Sequence, residues 1–537
     1  MLKFFLRVLA KSILSSFFIF SCVAEVNAEM KPIEIDTLAE KVMNTFSIPG
    51  VAIGIIEKGN ITHVKGYGVK NIHNNQPINT NTIFKIASNS KAFTTAALAI
   101  LVDEKKISWQ GKVVDYLPNF KMHDEWVTKE FTVKDLLTHR SGLGLGAGDL
   151  MLWPEPSSFS RAEILHNLRY LKPSGEFRAS YAYDNLLYIV AGEIIPAVTG
   201  MSWQQFIHKR IIKPLGMTHC YAGNVATVHL QDLAQPHGIV AGKLEIIQRK
   251  KNPNKELVSA AAGGIQCSIT DMLKWANVFL NQGKYGDGQQ LFSVAQYEEM
   301  WSAQTIMPIS NRAKRWDNSH FSSYGLGWRM NDVNGYLRVH HSGSLSGMYS
   351  YVSFFPELEL GIVILTNQQS SRARNALMYS LMKSYLPLSL GEKDSGQRID
   401  WLQEMLKGYE QPVSVTNNYM DKNARENEPL SLVMSEQESQ RLIGTYRDAW
   451  LGDFIIEKQK DKLKISSKRM EALVGELIKF GTNKYAVTWD DRGLEADVYA
   501  IFSLNDLDEI MTMKLLPQSK SIDFSYDFQD LLFRKIK

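Results

Sequence analysis

The sequence of 537 residues predicts an α/β (α+β) domain followed by an all-β domain. In the first domain, residues 29–390, strand-forming runs at both ends and helical runs between them predict an antiparallel sheet flanked by helices, with an inserted helical subdomain. In the second domain, residues 431–537, short β-favouring runs separated by turn residues predict an antiparallel barrel or sandwich. A polar, charged stretch at 391–430 predicts a linker between them.

The N-terminus has the three-part pattern of a secretory signal, which assigns residues 1–28 to a signal peptide. Three basic residues precede an apolar run at 13–24, and a small-residue cleavage pattern follows at 26–28 and ends at Ala28. Export predicts a periplasmic or secreted protein. A lipid anchor on Cys22 is the second choice, because bulky Phe20 occupies a position where such signals usually carry a small residue.

Composition argues against several classes of protein. Cleavage of the signal removes three basic residues and one acidic residue, which lowers the formal net charge from +4 to +2. Such a nearly neutral surface gives no electrostatic basis for binding nucleic acid. No later segment is long and apolar enough to span a bilayer. Only Cys220 and Cys267 remain after cleavage, too few for a disulfide scaffold, and their pairing is left open.

The first domain opens with two strands, 51–57 and 61–69, joined by a turn at Gly59-Asn60. Helical patterns and returning strands then follow in order along the chain. The helices are predicted at 88–104, 133–139, 185–198 and 268–280, and the strands at 336–341, 350–355 and 361–366. Because the two groups of strands share one sheet, we expect a site where that sheet meets the helical subdomain.

The predicted linker contains one short helical pattern, at 399–406. Beyond it, seven runs alternate or cluster in β-favouring residues. These strands are predicted at 442–447, 453–457, 462–466, 485–489, 498–502, 510–516 and 522–528. Small barrels are usually filled by their own side chains, so a packing, lid or oligomerisation role is favoured over ligand binding.

Ser88 and Lys91 form the first candidate catalytic pair. A spacing of three places the hydroxyl and the amine on one helix face, within reach of each other. Lysine can accept a serine proton once burial lowers its pKa from about 10.4, and the apolar run at 93–102 predicts such burial. The helix start also offers N–H groups to a developing oxyanion. A second Ser-x-x-Lys, Ser380 to Lys383, has no following apolar run and is interpreted as structural.

Two further motifs accompany this pair. Tyr183-Asp184-Asn185 is the only Tyr-x-Asn of the chain, and His341-Ser342-Gly343 is the only His-x-Gly. Asn185 offers a donor and an acceptor, which suits a substrate amide. Gly343 lets a substrate backbone lie close to its strand. A purely structural alternative is that Tyr183 and Asn185 cap the helix that follows them.

With these three ordered motifs the chain resembles the penicillin-recognising serine hydrolases. That family includes class C β-lactamases, D-alanyl-D-alanine peptidases, D-amino-acid-specific peptidases and related esterases. The resemblance covers about residues 33–385 and is strengthened by the stretches 131–143, 214–217, 261–264, 324–328 and 361–367.

The resemblance implies a role for each motif residue. Ser88 is the acylated nucleophile, Lys91 its helix partner and Tyr183 the proton shuttle, while the N–H groups of Ser88 and Ser344 form the oxyanion hole. A phenol beside an ammonium has its pKa lowered, so Tyr183 and Lys91 are expected to share one proton. Which of the two is the general base is left open.

His341 stands where many relatives carry a lysine. A histidine with a pKa near 6.5 is only partly charged at neutral pH, which weakens carboxylate recognition and favours esters, amides or peptides. His340 and His341 point to opposite faces of a strand, so a two-histidine metal site is excluded by geometry. The motifs imply no metal and no organic cofactor.

The opening of the second domain, at 442–447 and 452–454, resembles the lipocalin-like domain appended to some members of the same family. The whole chain is therefore predicted to be a serine hydrolase that forms an acyl-enzyme on Ser88. Its small-molecule or peptide substrates are peptides with D-residues, esters or amides, or β-lactams. The alternative is a catalytically inactive binding or scaffold protein, and retention of all three motifs argues against it.

Overall fold

The computed structural model describes residues 29–240, 242–247, 257–388, 392–393, 397–407 and 434–536. The helices are α1 (Pro32–Phe46), α2 (Ser90–Asp103), α3 (Val113–Tyr116), α4 (Glu125–Glu130), α5 (Arg161–Asn167), α6 (Leu186–Thr199), α7 (Trp203–Ile207), α8 (Ala260–Gly263), α9 (Ile269–Leu280), α10 (Val294–Met300), α11 (Ser371–Tyr385), α12 (Trp401–Leu406) and α13 (Glu436–Leu442). The predicted signal peptide, with its anchor candidate Cys22, lies outside the described residues, as does much of the predicted linker.

The strands of the first domain include the five predicted ones, each of which begins within two residues of its predicted start. They are β1 (Gly50–Glu57), β2 (Asn60–Gly68), β3 (Ile83–Lys85), β4 (Cys220–Ala222), β5 (His237–Val240), β6 (Lys243–Ile246), β7 (Ile265–Ser268), β8 (Lys284–Tyr285), β9 (Gln289–Gln290), β10 (Thr305–Ile306), β11 (Ser322–Tyr324), β12 (Arg329–Val333), β13 (Tyr336–Leu345), β14 (Met348–Phe355) and β15 (Leu360–Thr366). Those of the second domain are β16 (Gly444–Asp448), β17 (Gly452–Gln459), β18 (Lys462–Ser467), β19 (Val474–Gly481), β20 (Lys484–Trp489), β21 (Val498–Leu504), β22 (Ile510–Pro517) and β23 (Phe533–Lys535).

An eight-stranded antiparallel sheet forms the centre of the first domain. Its order is β10-β11-β12-β13-β14-β15-β1-β2, so β1 from the start of the domain pairs with β15 from its end. Alternate residues of β1 face opposite sides: Val51, Ile53 and Ile55 pack towards α1 and α11, whereas Gly54 lies against Leu273 of α9. This arrangement confirms the predicted antiparallel sheet flanked by helices.

The four predicted helical segments lie between β2 and β10, whereas α1 and α11 lie outside that region, and one of the four differs from the prediction. Residues 133–139 form only a short 3-10 turn, Asp135–Leu137, in place of a longer helix. The buried carboxylate of Asp135 accepts hydrogen bonds from Thr132 N and from the guanidinium of Arg178. These contacts fix a tight turn, and His139 then adopts a φ of +53°, which ends it.

Apolar helices pack in the core of the helical subdomain. The side chains of α6 are buried from Leu186 to Gly192 and again at Ile194 and Ile195. Within the described ranges, no single helix is long and apolar enough to cross a membrane. Leu186–Thr199 and Trp203–Ile212 reach that length and composition only together, as a pair bent by 78°.

A small three-stranded sheet, β3-β7-β4, leads the chain into Ser88. Cys220 of β4 lies opposite Cys267 of β7, and the two form a disulfide. The pairing that the sequence left open is therefore present in the structure. Because β7 also pairs with β3, the disulfide belongs to the small sheet that ends two residues before Ala87.

The second domain is a closed antiparallel barrel of eight strands, β16 to β23 in chain order. Closure comes from β23, whose Lys535 pairs with Tyr446 of β16. The interior is filled by large side chains, with Phe502 in ring contact with both Tyr446 and Tyr485. The all-β antiparallel prediction is confirmed, and the barrel alternative is the one adopted.

One predicted strand of the barrel is wrong. Residues 522–528 form turns that lead into the 3-10 turn Phe528–Asp530, while the last strand of the barrel is β23. The reason is that Asp527 of this segment bonds to backbone N–H groups of the first domain. Strands β19 and β23 were not predicted.

The predicted linker helix belongs to the first domain in its packing. In α12, Trp401, Leu402 and Met405 are buried. The indole ring of Trp401 lies 5.1 Å from the Tyr379 ring of α11 and 5.4 Å from the Trp316 ring. The hydrophobic face of this short helix therefore covers α11.

The barrel also packs directly on the helical subdomain. Arg469 of the barrel forms an ion pair of 2.9 Å with Glu163 of α5, and its guanidinium lies over the Phe159 ring. Asn167 donates a hydrogen bond of 2.8 Å to the carbonyl of Trp450. These contacts hold one end of the barrel beside the elements that carry the predicted site.

Candidate active site

Ser88 lies in a 3-10 turn, Ala87–Asn89, that continues directly into α2. Ala87 adopts a left-handed φ of +50°, which costs a non-glycine residue roughly 1–2 kcal/mol. Two contacts hold the turn in place: Asn89 donates a 2.7 Å hydrogen bond to the Ser350 hydroxyl, which in turn donates to Ile86 O at 2.6 Å. A half-buried Ser88 is thereby held at the junction of sheet and helix.

Lys91 is fully buried one turn further along α2. Its ammonium nitrogen Nζ lies 3.3 Å from Ser88 Oγ, 2.6 Å from Asn185 Oδ1 and 3.1 Å from Ala262 O. It also lies 4.8 Å from the centre of the Tyr183 ring. The structure thus brings Ser88, Lys91, Tyr183 and Asn185 together, from segments about a hundred residues apart.

Burial lowers the pKa of Lys91 to about 7. The carboxyls of Asp149 and Asp184 act in the opposite direction, and the Arg329 guanidinium adds to the lowering. Every hydrogen-bond partner of Lys91 is an uncharged oxygen. The amine can therefore exchange a proton near neutral pH, as a base for Ser88 requires.

Tyr183 is buried among aromatic rings, with its ring centre 4.2 Å from that of His139 and 6.2 Å from that of His341. Burial raises the pKa of Tyr183 well above its usual value, although an interaction with Ser88 acts in the opposite direction. The Tyr183 hydroxyl has no partner among the described residues that meets hydrogen-bond geometry. The expected lowering of the Tyr183 pKa by Lys91 is wrong, because desolvation of the phenolate is the larger effect.

Asn185 is engaged at both ends of its amide. Its Oδ1 accepts from Lys91, and its Nδ2 donates a 2.7 Å hydrogen bond to Asp149 Oδ2. Both ends of the amide therefore contact the protein itself, and contact with a substrate amide stays a prediction. Asp149 is fully buried, and burial, followed by the nearby Asp527 and Asp184, raises the pKa of its carboxyl well above the usual value.

His341 faces the site but is uncharged. Its Nδ1 donates to Ser342 O at 2.8 Å, so its Nε2 accepts from the Tyr324 hydroxyl at 3.1 Å. Burial and then the cations Arg329 and Lys91 lower the pKa of His341 well below 6.5. The predicted partial charge is wrong for this reason. Its neighbour His340 contacts Tyr351 at 3.3 Å, which is a different partner, as alternation along the strand requires.

Gly343 and Ser344 lie where β13 passes the nucleophile turn. A Cβ on Gly343 would meet Ile86 O at 2.2 Å and the Ala87 Cβ at 3.0 Å. The glycine therefore allows the nucleophile turn to approach the strand, and close approach of a substrate backbone stays a prediction. Ser344 is exposed, and Arg374 donates to Gly343 O at 3.2 Å and to the Ser344 hydroxyl at 3.3 Å.

The chain matches a known protein family over most of its length. The family described as Beta-lactamase matches residues 35–385, which is more than half of the chain. The chain belongs to the beta-lactamase family. A second family, a domain of unknown function (DUF3471), matches residues 434–535, the barrel.

Named relatives of this beta-lactamase-family chain are distant. It is 29% identical over 379 residues to "Unguisins hydrolase ungD'" of Aspergillus campestris (strain IBT 28561), covering 68% of this chain and 66% of that protein. It is 27% identical over 350 residues to "Protein flp" of Staphylococcus aureus (strain NCTC 8325 / PS 47), covering 63% of each. The chain spans less than two thirds of the length of these curated relatives.

A solved structure shares the fold of both domains. The octameric penicillin-binding protein homologue from Pyrococcus abyssi aligns with a TM-score of 0.56 at 21% sequence identity. The alignment covers 94% of this chain and 100% of that chain. Family membership and the hydrolase relative together support a serine hydrolase.

Several residues of this beta-lactamase-family site were not singled out from the sequence. Arg329 of β12 is a permanent cation whose guanidinium lies 5.7 Å from the centre of the Tyr183 ring and donates to the Tyr181 hydroxyl at 2.9 Å. His139 accepts from Asp184 N at 3.1 Å. Only weak signals mark them: His139 lies inside the matching stretch 131–143, and Arg329 follows the stretch 324–328.

Proposed function

We propose that this protein is a serine hydrolase that transfers the acyl group of its substrate to Ser88 and then to water. The observation that carries the proposal is the pair Ser88–Lys91. The amine lies 3.3 Å from the hydroxyl, is completely buried, and has its pKa lowered to about 7. A lysine in this state can act as a general base at neutral pH.

In the proposed acylation, Lys91 Nζ accepts the Ser88 hydroxyl proton while Ser88 Oγ forms a bond to the acyl carbon. The bond between that carbon and the leaving atom then breaks. Tyr183, which retains its phenolic proton, donates that proton to the leaving atom, and the proton held by Lys91 restores Tyr183. Deacylation uses the same groups, with water in place of the leaving group.

The developing oxyanion is proposed to be stabilised by the N–H groups of Ser88 and Ser344. Ser88 is the middle residue of the 3-10 turn that continues into α2, and the first N–H groups of a helix have no partner within the helix. The close approach of Gly343 to Ile86 O supports the pairing, because it holds the strand carrying Ser344 directly against the nucleophile turn. Arg374 donates hydrogen bonds to Gly343 O and to the Ser344 hydroxyl, which fix this part of the strand.

The proposed substrates are peptides with D-residues, esters or amides, and β-lactams. The name of one relative describes it as a hydrolase of unguisins, which supports hydrolysis in this chain as well. Arg329 supplies a permanent cation beside Tyr183, where the neutral His341 does not. An anionic group on the substrate therefore has a partner, as the planar guanidinium suits a carboxylate.

Labelling with a fluorophosphonate followed by mass spectrometry tests the proposal. We expect one adduct, on Ser88, that disappears in Ser88→Ala and persists in Ser380→Ala, the matched change in the second Ser-x-x-Lys. A folded protein without an adduct would support the inert scaffold instead. A panel of a β-lactam, a D-Ala-D-Ala peptide and esters with and without a carboxylate then identifies the substrate class.

We also propose that the protein works in the periplasm or outside the cell. The signal-like pattern at 1–28 supports export, and the Cys220–Cys267 disulfide is typical of an oxidising compartment. Cell fractionation with N-terminal sequencing tests this. A mature chain that starts after Ala28 in the exported fraction is expected, and an uncleaved cytoplasmic protein would contradict the proposal.

A further inference from the structure

A segment of the barrel domain reaches the candidate active site. Residues 518–527, the barrel arm, follow β22 and lie against the first domain before the chain returns to β23. The Phe524 ring lies 5.8 Å from the Tyr183 ring in a nearly perpendicular arrangement. A Cβ on Gly146 would meet Phe524 O at 2.6 Å, so the two backbones are in close contact.

The barrel arm holds the loop around Asp149. The buried carboxylate of Asp527 accepts hydrogen bonds from Gly148 N at 2.6 Å and from Leu150 N at 3.0 Å. These two N–H groups flank Asp149 in the sequence. A buried carboxylate that accepts two backbone bonds fixes the conformation of the loop it contacts.

A chain of hydrogen bonds then runs from the barrel arm to Lys91. Ser525 Oγ donates to Asp149 Oδ2 at 2.9 Å, and Asn185 Nδ2 donates to the same oxygen at 2.7 Å. The other end of that amide, Asn185 Oδ1, accepts from Lys91 Nζ at 2.6 Å. All links except Ser525, which is half-buried, are buried.

We propose that Ser525 and Asp527 of the barrel domain are positioning residues for Lys91, acting through Asp149 and Asn185. This inference rests on the proposed function of the Ser88–Lys91 pair. It assigns the barrel a task in the hydrolase reaction, beyond packing.

The physical basis is the orientation of one amide. An asparagine side chain can present either its oxygen or its NH2 group in the same space. The carboxyl of Asp149 accepts from the NH2 group and so turns the oxygen towards Lys91. Ser525 and Asp527 keep Asp149 at this place, and without them the amide is free to turn.

Lys91 is sensitive to this orientation because Asn185 Oδ1 makes the shortest of its three hydrogen bonds. The titratable and charged groups that face it are Asp149, Asp184, Arg329, Tyr183, Tyr188, His139 and His341. An amide oxygen at 2.6 Å favours the protonated lysine. Loss of that oxygen moves the pH at which Lys91 releases its proton to a lower value.

The test compares Ser525→Ala with Ser521→Ala in the full-length protein. Ser521 belongs to the same arm but is exposed, with its hydroxyl bonded to that of Ser519. The rate of Ser88 labelling by a fluorophosphonate is measured from pH 5 to pH 9. We expect the labelling rate of Ser525→Ala at high pH, where Lys91 is deprotonated in both proteins, to be about tenfold lower than that of the wild type, because the amine is no longer held in position beside Ser88. Its rate should also rise with pH at a lower midpoint.

Three further results decide the inference. Ser525→Thr, which keeps the hydroxyl, should recover most of the rate, and Ser521→Ala should match the wild type in rate and midpoint. Asp527→Asn, which keeps one acceptor, should be at least as slow as Ser525→Ala; if it does not fold, the Ser525 series decides alone. Unchanged rate and midpoint in Ser525→Ala would overturn the inference while leaving the hydrolase proposal intact. A wild-type protein without any Ser88 adduct would overturn the proposed function itself.

Discussion

The chain contains two Ser-x-x-Lys pairs on helices, and only one of them is built as a catalytic pair. Ser88 and Lys91 lie at the start of α2, and Ser380 and Lys383 lie near the end of α11. Both lysines are 99% or more removed from solvent. Spacing and burial are therefore the same in the two pairs, and neither property distinguishes them.

The partners of the two lysines differ. Lys383 Nζ lies 3.4 Å from the carboxylate of Asp317 and donates to Trp316 O at 2.5 Å. Lys91 has only uncharged oxygens as partners. Burial lowers both pKa values, but the Asp317 carboxylate opposes this effect at Lys383. A buried lysine therefore becomes a base only where no carboxylate lies next to it.

The largest expected effect is on activity. Lys91→Met should slow the labelling of Ser88 about a hundredfold to ten-thousandfold, because the general base is removed. Its thermal midpoint should change little, because removing the desolvation cost of the buried amine offsets the loss of its hydrogen bonds to Asn185 Oδ1 and Ala262 O. The labelling rate and the thermal midpoint are measured on the same preparation. An active Lys91→Met variant would remove the distinction between the two pairs.

The matched substitution of Lys383 should have the opposite result: it should lower stability and leave the labelling of Ser88 unchanged. Lys383→Met leaves the buried Asp317 without its cation and should lower the free energy of unfolding by about 3–5 kcal/mol. Labelling of Ser88 per folded molecule should stay at the wild-type value, because Lys383 takes no part in the proposed reaction. Denaturant titration gives the stability. A stable variant with impaired labelling would contradict the structural assignment.

A smaller effect is expected when Lys91 is given a neighbouring carboxylate, as Lys383 has in Asp317. In the wild type, labelling should rise with pH through about 7, because deprotonated Lys91 is the active form. Asn185→Asp places a carboxylate beside Lys91, which favours the ammonium and should move this midpoint up by about one unit or more. The control Asp317→Asn should leave it in place. An unmoved midpoint in Asn185→Asp would mean that Lys91 is not the titrating group.

The central part of the site was predictable because it is local. Ser88 and Lys91 are three residues apart on one helix, so their contact follows from helix geometry and the apolar run that buries them. The antiparallel sheet and the order of its strand groups followed from alternation and position. The sequence does not show which side chain contacts Lys91 from another segment, nor the charge state that Lys91 then adopts.

His341 shows why charge states escape prediction from sequence. Its usual pKa suggests partial charge at neutral pH, but it is buried beside Arg329 and Lys91, which come from two other elements. Only a partial charge was expected at position 341, and the permanent cation that lies beside Tyr183 is Arg329. Electrostatics depends on tertiary neighbours, whereas a motif specifies only sequence neighbours.

The barrel arm shows the same limit for secondary structure. Ile522, Phe524, Tyr526 and Phe528 alternate with polar residues, which is the pattern of a strand. Only Phe528 of these four is buried in the barrel core, and Phe524 faces Tyr183. The apolar residues of this segment contact two different domains, so their two-residue period alone wrongly predicted a strand.

Ser525 lies far along the sequence from its partner Asp149, and this separation affects when activity begins. Ser525 follows Asp149 by 376 positions, so a ribosome finishes the hydrolase domain well before it makes the hydroxyl that orients the lysine. On the proposed arrangement, a chain whose barrel has not yet docked would hold a complete nucleophile and yet react about tenfold more slowly. Acyl transfer would reach its full rate only after the barrel has folded and docked.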